Sequence, residues 1–483
     1  MRTLRAMGGT LTATVLIMLG LSGCAPVTLS IDSGLYPSFQ TEVEDYVSRC
    51  DASRPVRVAI GAPSGTAVSV GGQAFRSGTF TASVTRDVGQ RFTIRVRTPE
   101  ATTTHHVRCL PADFPSWTAD RPYDTSAEFF VTAPLIFDTP ISAYPVIFDT
   151  NGVPVWWGRK APNLLFATML PTGNLAWTEN GVTAEHRLDG SLVRTYDTVG
   201  APNDFHDLLV LPNGNHVMVT FSERPGVSLR AWGGPADATI IDHVVQEITP
   251  AGDVIWSWTT ADHIPVTETT SDWREEQLMN PGGMFSDSYD PYHYNSIEAT
   301  GDGFIISYRH LDAVYKVDKA SGNIVWKLGG SHHPRRLTIL DDPASIANGG
   351  SGTFGGQHDA RLLGDGTVTL FDNGTARQRA PRAVRYRIDT TGGTATLLRT
   401  VTDPSVPMSD CCGSARVLSG GHYVIGWGGN SDIAPDIAES TRTGTRVFSL
   451  HFPDAFVYRA VPIPFGQLSR QSLRDGMDAQ FPR

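Results

Sequence analysis

The sequence has few cysteines, no excess of basic residues and, beyond its first two dozen positions, no long apolar run. Five cysteines in 483 residues leave two pairs at most, so a chain of this length must hold itself together through a large packed core. Lys and Arg number 39 against 49 Asp and Glu, a net charge of −10. A surface of that sign excludes nucleic acid and an anionic membrane as partners. It does not exclude a small anionic substrate, because a few local Arg and His side chains outweigh a distant field. No later uninterrupted apolar stretch reaches the ~20 residues that a membrane-crossing helix needs. What the chain does have is turns: 48 Gly and 32 Pro among short apolar runs, the composition of one large all-β domain with a smaller one.

The N-terminus is a targeting segment. Arg2 and Arg5 precede an apolar stretch from Leu11 to Leu21, and Leu21-Ser22-Gly23-Cys24 follows at once. This resembles the bacterial lipoprotein box, which makes residues 1–24 a signal peptide and Cys24 the lipidated N-terminus of an exported protein. The expected location is the outer face of the cytoplasmic membrane or the cell envelope. In such an oxidising compartment Cys50 and Cys109, which flank one candidate domain, are expected to pair and staple its ends. The adjacent Cys411 and Cys412 are either a vicinal disulfide or two free buried thiols.

Residues 25–40 read as a tether and 41–115 as a small β-sandwich. In the latter, Val56–Ile60, Thr79–Val84 and Phe92–Arg97 alternate apolar and polar between Gly- and Pro-containing turns. From 116 to 470 a four-strand unit repeats, with a tail over 471–483. Its clearest copy runs through Ser296–Thr300, Phe304–Tyr308, Ala313–Asp318 and Ile324–Leu328. The most visible strand pair starts near 145, 186, 245, 314, 384 and 446, the last running from Arg446–Leu450 to Tyr458, with insertions around 222–240, 260–290 and 330–356. Repeated four-strand units predict an all-β fold, a six-bladed β-propeller preceded by the sandwich.

In a propeller the first strand of every blade lines the central channel. The residues leading into those strands are Asn163-Leu164-Leu165-Phe166, Phe205-His206-Asp207, Tyr292-His293-Tyr294-Asn295, Gln357-His358-Asp359 and Cys412-Gly413-Ser414. Histidine recurs at one register in three of them, so His206, His293 and His358 are predicted neighbours. Strand alternation points Asp207 and Asp359 away from the imidazoles, which rules out a Ser-His-Asp reading, and puts Asn295 on the face of His293. Arg309, at the end of the return strand, approaches the channel mouth. Three imidazoles and a planar guanidinium suit a tetrahedral oxyanion such as sulfate or phosphate. A neutral His attacks sulfur or phosphorus and a protonated one donates to the leaving oxygen. Two other readings stay open: a zinc site for a metal-dependent hydrolase or lyase, against which a nearby Arg argues, and a surface propeller that binds a glycan, a sulfated ligand or a protein without catalysis.

The runs Tyr292–Ile297, Ser307-Tyr308-Arg309-His310, Ile324–Gly330, Gln357–Arg361 and Leu370–Gly374 resemble the arylsulfotransferase family of exported bacterial enzymes. The likeness covers roughly 120–465. It implies a sulfuryl transfer from an aryl sulfate donor to a phenolic acceptor by a ping-pong route through sulfohistidine, with no 3′-phosphoadenosine 5′-phosphosulfate, other cofactor or metal. It also implies His358 as nucleophile, with His293, Arg309 and His206 around the sulfuryl oxygens and Asn295 beside them. Cys411-Cys412, at the fifth inner strand, departs from the family pattern and is expected to narrow the pocket.

Overall fold

In the computed structural model the described residues are 26–51, 53–281, 287–347, 354–377, 379–429 and 435–483. The signal segment and Cys24 lie outside them. Strands hold 45% of the chain and helices 8%, so the fold is all-β. No helix among the described residues is long and apolar enough to cross a membrane.

The N-terminal strands alternate buried and exposed side chains, as in Val56–Ala62 and Arg91–Arg97, which is the pattern of sheets that keep one face dry. They form a three-stranded sheet over Thr28–Ile31, Val56–Ala62 and Gly78–Val84, and a four-stranded one over Asp45–Ser48, Thr102–Cys109, Arg91–Arg97 and Ala67–Val70. Cys50 and Cys109 are bonded and buried in the core of this region. The expected tether needs correction. Thr28–Ile31 pairs antiparallel with Val56–Ala62 and buries Ile31. Four residues are too short a period to separate an edge strand from a linker.

Seven sheets follow, six of them built around an antiparallel meander of sequence neighbours; one of the six also carries Thr338–Leu340, paired parallel with Thr394–Val401 at its edge. Four of them start with the strands Ala167–Met169, Leu209–Val210, Tyr294–Thr300 and His358–Leu362. Another starts with Ser414–Val417, and its outer edge gains Thr118–Asp120 from the far end of the chain. The sixth, Pro154–Trp157, Val146–Asp149 and Ala127–Thr132, is completed by the C-terminal strand Val461–Pro464, and the seventh joins the short strands Ala161–Pro162, Ser142–Ala143, Pro134–Ile136 and Phe456–Val457. Arg446–His451 is therefore the fourth strand of its sheet, paired with Ile437–Ser440, and does not form the expected pair with the segment reaching Tyr458. That segment enters the strand Phe456–Val457, which pairs with Pro134–Ile136.

The expected C-terminal tail holds the helix Arg470–Gln480, capped by Ser469 Oγ, which accepts from Ser472 N–H. Its Leu473 and Met477 enter the same core as Trp157 and Val47. Arg474 pairs with Asp45 at 2.7 Å, and Asp478 with Arg91 at 2.7 Å and Arg108 at 3.0 Å. The helix thereby bolts the two N-terminal sheets to the first of the six meanders. Leu473→Ala should lower unfolding free energy by about 2–3 kcal/mol, from lost burial plus the cavity left behind. Urea denaturation would read it, and a loss below about 0.5 kcal/mol, the size of an ordinary surface substitution, would refute the bolt.

Candidate active site

The segments leading into the inner strands share an uncommon backbone. Asn163, His293, Asp359 and Cys412 all have left-handed φ, between 52° and 66°. Each such non-glycine residue costs of order 1 kcal/mol or more, and such strain gathers at functional sites. The ring centroids of His206 and His293 lie 5.2 Å apart, and Tyr458 stands 6.0 Å from His206 and 6.3 Å from His358. The Arg309 guanidinium lies 4.1 Å above the Trp273 ring and donates to Asp410 O at 3.0 Å. Its buried Nε has no partner among the described residues. Together with His293 and His206, its charge acts on His358. The structure thus brings His206, His293, His358 and Arg309 into one site.

The three imidazoles differ in what holds their Nδ1. His206 Nδ1 bonds Asp204 Oδ1 at 2.6 Å and His293 Nδ1 bonds Asp290 Oδ2 at 2.8 Å, both carboxylates buried. His358 Nδ1 instead meets two neutral acceptors, Gly356 O at 2.8 Å and Asn373 Oδ1 at 3.0 Å. Its Nε2 accepts from Cys412 N–H at 3.1 Å, which fixes the tautomer with the lone pair on Nε2. Burial and the Arg309 charge hold His358 well below the ordinary histidine range. Burial also lowers His293, opposed by the Asp290 carboxylate. Burial alone would raise Asp204 and Asp290. Their histidines reverse it, bringing Asp204 down to about 2 and Asp290 well below the usual carboxylate range.

Sequence reasoning missed Asp204 and Asp290 because it assumed strand alternation. Both lie in turns that fold back, with His206 N–H and His293 N–H also donating to them at 2.9 and 2.8 Å. Asn295 needs the same correction. The left-handed φ of His293 and a bulge at Tyr294–Ser296 break the alternation, and the Asn295 amide N–H donates to Gln357 O at 2.8 Å. The possible Cys411–Cys412 bond is absent: both thiols are free. Their shared peptide is held by Cys412 N–H on His358 Nε2 and by Gly429 N–H on Cys411 O.

Asp207 and Asp359 do point away from the imidazoles, into a buried clamp. Asp207 pairs with Arg361 at 2.7 Å and Arg459 at 3.0 Å, while Asp359 pairs with Arg361 at 2.8 Å and Arg416 at 2.7 Å. Arg459 also donates to Asn295 O, so the clamp joins the inner ends of five sheets. Asp290, His293 and His310 place ligand-type atoms within 4.8 Å of one another. A cation is disfavoured there, because His310 Nδ1 is spent on Asp290 O and its Nε2 faces the Arg309 guanidinium at 3.0 Å. A cavity of about 610 Å³ has Phe205, Phe221 and Ile241 with the polar Asn203 and Glu223 in its wall, and the Phe205 ring stacks on His206.

Successive β-sheets thus bring three imidazoles and an arginine together at one largely buried site in an all-β protein. The family model described as Arylsulfotransferase (ASST) matches residues 114–459, and the chain belongs to that family of sulfotransferases. No curated protein matches the chain. Among solved structures it is similar to a putative 6-phosphogluconolactonase from Bacteroides fragilis, at 10% identity over 82% of this chain and 98% of that one, with a TM-score of 0.35. A quinoprotein alcohol dehydrogenase-like protein from Bacteroides thetaiotaomicron shares 10% identity over 88% of this chain and 97% of the other, with a TM-score of 0.30. Likenesses at this level define neither activity nor detailed fold.

Proposed function

We propose that the chain is an exported arylsulfotransferase, lipid-anchored through Cys24, whose six successive meanders are the blades of a propeller behind a β-sandwich. It transfers a sulfuryl group from an aryl sulfate ester to a phenol through sulfohistidine at His358. The observation that carries this reading is the division of the histidines by their Nδ1 partners. His358, held by neutral acceptors at Nδ1, keeps an unprotonated Nε2 whose lone pair attacks sulfur once the entering ester displaces the Cys412 N–H that it accepts from. Arg309 offers a free Nε–H and a planar fork to the sulfuryl oxygens. His293 is backed by the buried Asp290 carboxylate, which favours its imidazolium against burial, and His206 Nδ1 is held by Asp204.

As the N–S bond forms, the S–O bond to the aryl group breaks and its electron pair stays on the aryl oxygen, which takes a proton from a neighbouring imidazolium. In the second half an acceptor phenol returns that proton to the imidazole, its oxygen bonds sulfur, and the N–S bond breaks. Intact-mass measurement after brief exposure to 4-nitrophenyl sulfate should show a gain of about 80 Da, discharged by added phenol. No adduct and no nitrophenol release would mean a binding protein. Release that requires zinc and leaves no adduct would mean a metal-dependent hydrolase.

The carboxylate behind His293 gives a further test. Asp290→Asn removes the charge that favours the imidazolium, so the basic limb of the kcat profile should move about 1–3 units toward acid. An unmoved limb would take His293 out of the proton-donor role.

A further inference from the structure

Tyr458 leads into the C-terminal strand that completes the first of the six meanders, and neither its type nor its position marked it in the sequence. Its main chain is fixed, since its carbonyl accepts from Gly413 N–H at 2.8 Å. The side chain is 5% exposed, yet its hydroxyl has no hydrogen-bond partner among the described residues. A buried hydroxyl left unpaired costs roughly 1–3 kcal/mol, which a phenylalanine at this position would avoid. Tyr294 and Tyr308 share the orphaned hydroxyl, but only the Tyr458 ring borders both His206 and His358.

We propose that the Tyr458 hydroxyl is a catalytic hydrogen-bond donor to the aryl oxygen of the sulfate ester, the atom on which negative charge gathers as its bond to sulfur breaks. The inference rests on the sulfuryl-transfer reading and deepens it. A group fixed by its ring and free at its tip, one residue row from the nucleophile, is the arrangement expected of a donor whose partner arrives with the substrate. Burial pushes the Tyr458 phenol well above its ordinary range, so it stays protonated and donates without ionising. The full proton still comes from a histidine; Tyr458 stabilises the developing phenolate before that proton arrives.

Tyr458→Phe removes only the hydroxyl, and the test compares phenyl sulfate with 4-nitrophenyl sulfate as donors. Loss of one such donor should lower kcat with phenyl sulfate by about 10²-fold. The loss should be much smaller with 4-nitrophenyl sulfate, whose leaving oxygen needs less stabilisation. The melting temperature should hold or rise, because the orphaned hydroxyl is gone. An equal loss on both donors, or unchanged kcat on both, overturns the assignment. If the wild-type protein gains no sulfuryl adduct, the underlying reading falls and the assignment with it; if it does gain one and Tyr458→Phe behaves like wild type on both donors, the assignment alone falls.

Discussion

His358→Ala should abolish the sulfuryl adduct and lower kcat for aryl sulfate turnover by at least about 10⁴-fold, since a covalent route has no substitute for its nucleophile. The loss is not expected to reflect misfolding. Asn373, one partner of His358 Nδ1, keeps its bonds to Ser409 Oγ at 2.8 Å and Cys412 O at 3.0 Å. The Cys412 N–H would lose its acceptor, a penalty on the order of 1–3 kcal/mol. Single-turnover kinetics with 4-nitrophenyl sulfate, read beside a melting curve, separates the two effects. A folded variant that still releases nitrophenol within tenfold of wild type, or still gains sulfuryl mass, would remove His358 from the role of nucleophile.

The second large effect lies in stability. Asp359 is fully buried, serves Arg361, Arg416 and Arg459, and is held far below the usual carboxylate range: burial opposes its charge, but the three guanidinium groups prevail. Asp359→Asn removes the charge while keeping a residue type that tolerates its φ of 55°. The buried Arg361 and Arg459 and the half-buried Arg416 would then lean on Asp207, with Glu298 still 3.2 Å from Arg361, at a cost of about 3–5 kcal/mol. The sign of the pH dependence follows. A carboxylate whose folded pKa lies below its unfolded value stabilises fully above about pH 4, and that stability drains as pH falls toward the folded pKa. The wild-type protein should therefore lose stability on acidification more steeply than Asp359→Asn. Urea denaturation from pH 7 to 3 measures both; a difference under about 1 kcal/mol at pH 7, no more than a surface ion pair contributes, would show that the clamp is not electrostatic.

Much of this was legible in the sequence because it is periodic. Alternation over Val56–Ile60 and Phe92–Arg97, and the repeated four-strand grammar, give the all-β character. A histidine recurring before three inner strands marks His206, His293 and His358. What was not legible depends on departures from the period. Asp204 and Asp290 reach their histidines through turns, not along a strand face. Tyr458 follows a two-residue strand that leaves the repeat, and the strand after it belongs to the first sheet, so no local pattern links it to the other heads. The C-terminal helix has a narrow apolar stripe, essentially Leu473 and Met477, on an otherwise polar segment that reads as solvated tail.

The closing of the first sheet by Val461–Pro464 also sets an order in time. A nascent chain that has delivered the nucleophile still lacks Tyr458, Arg459 and the strand that seals the sheets together. Folding of the site must wait for the last stretch of synthesis and depends on contacts of very high sequence separation, which form slowly. A product that stops short of residue 458, whether from a premature stop codon or from proteolysis, would carry all three histidines yet lack Tyr458, Arg459 and the strand Val461–Pro464. The site's last pieces and the strand that closes the first sheet are thus delivered together, after every histidine has been made.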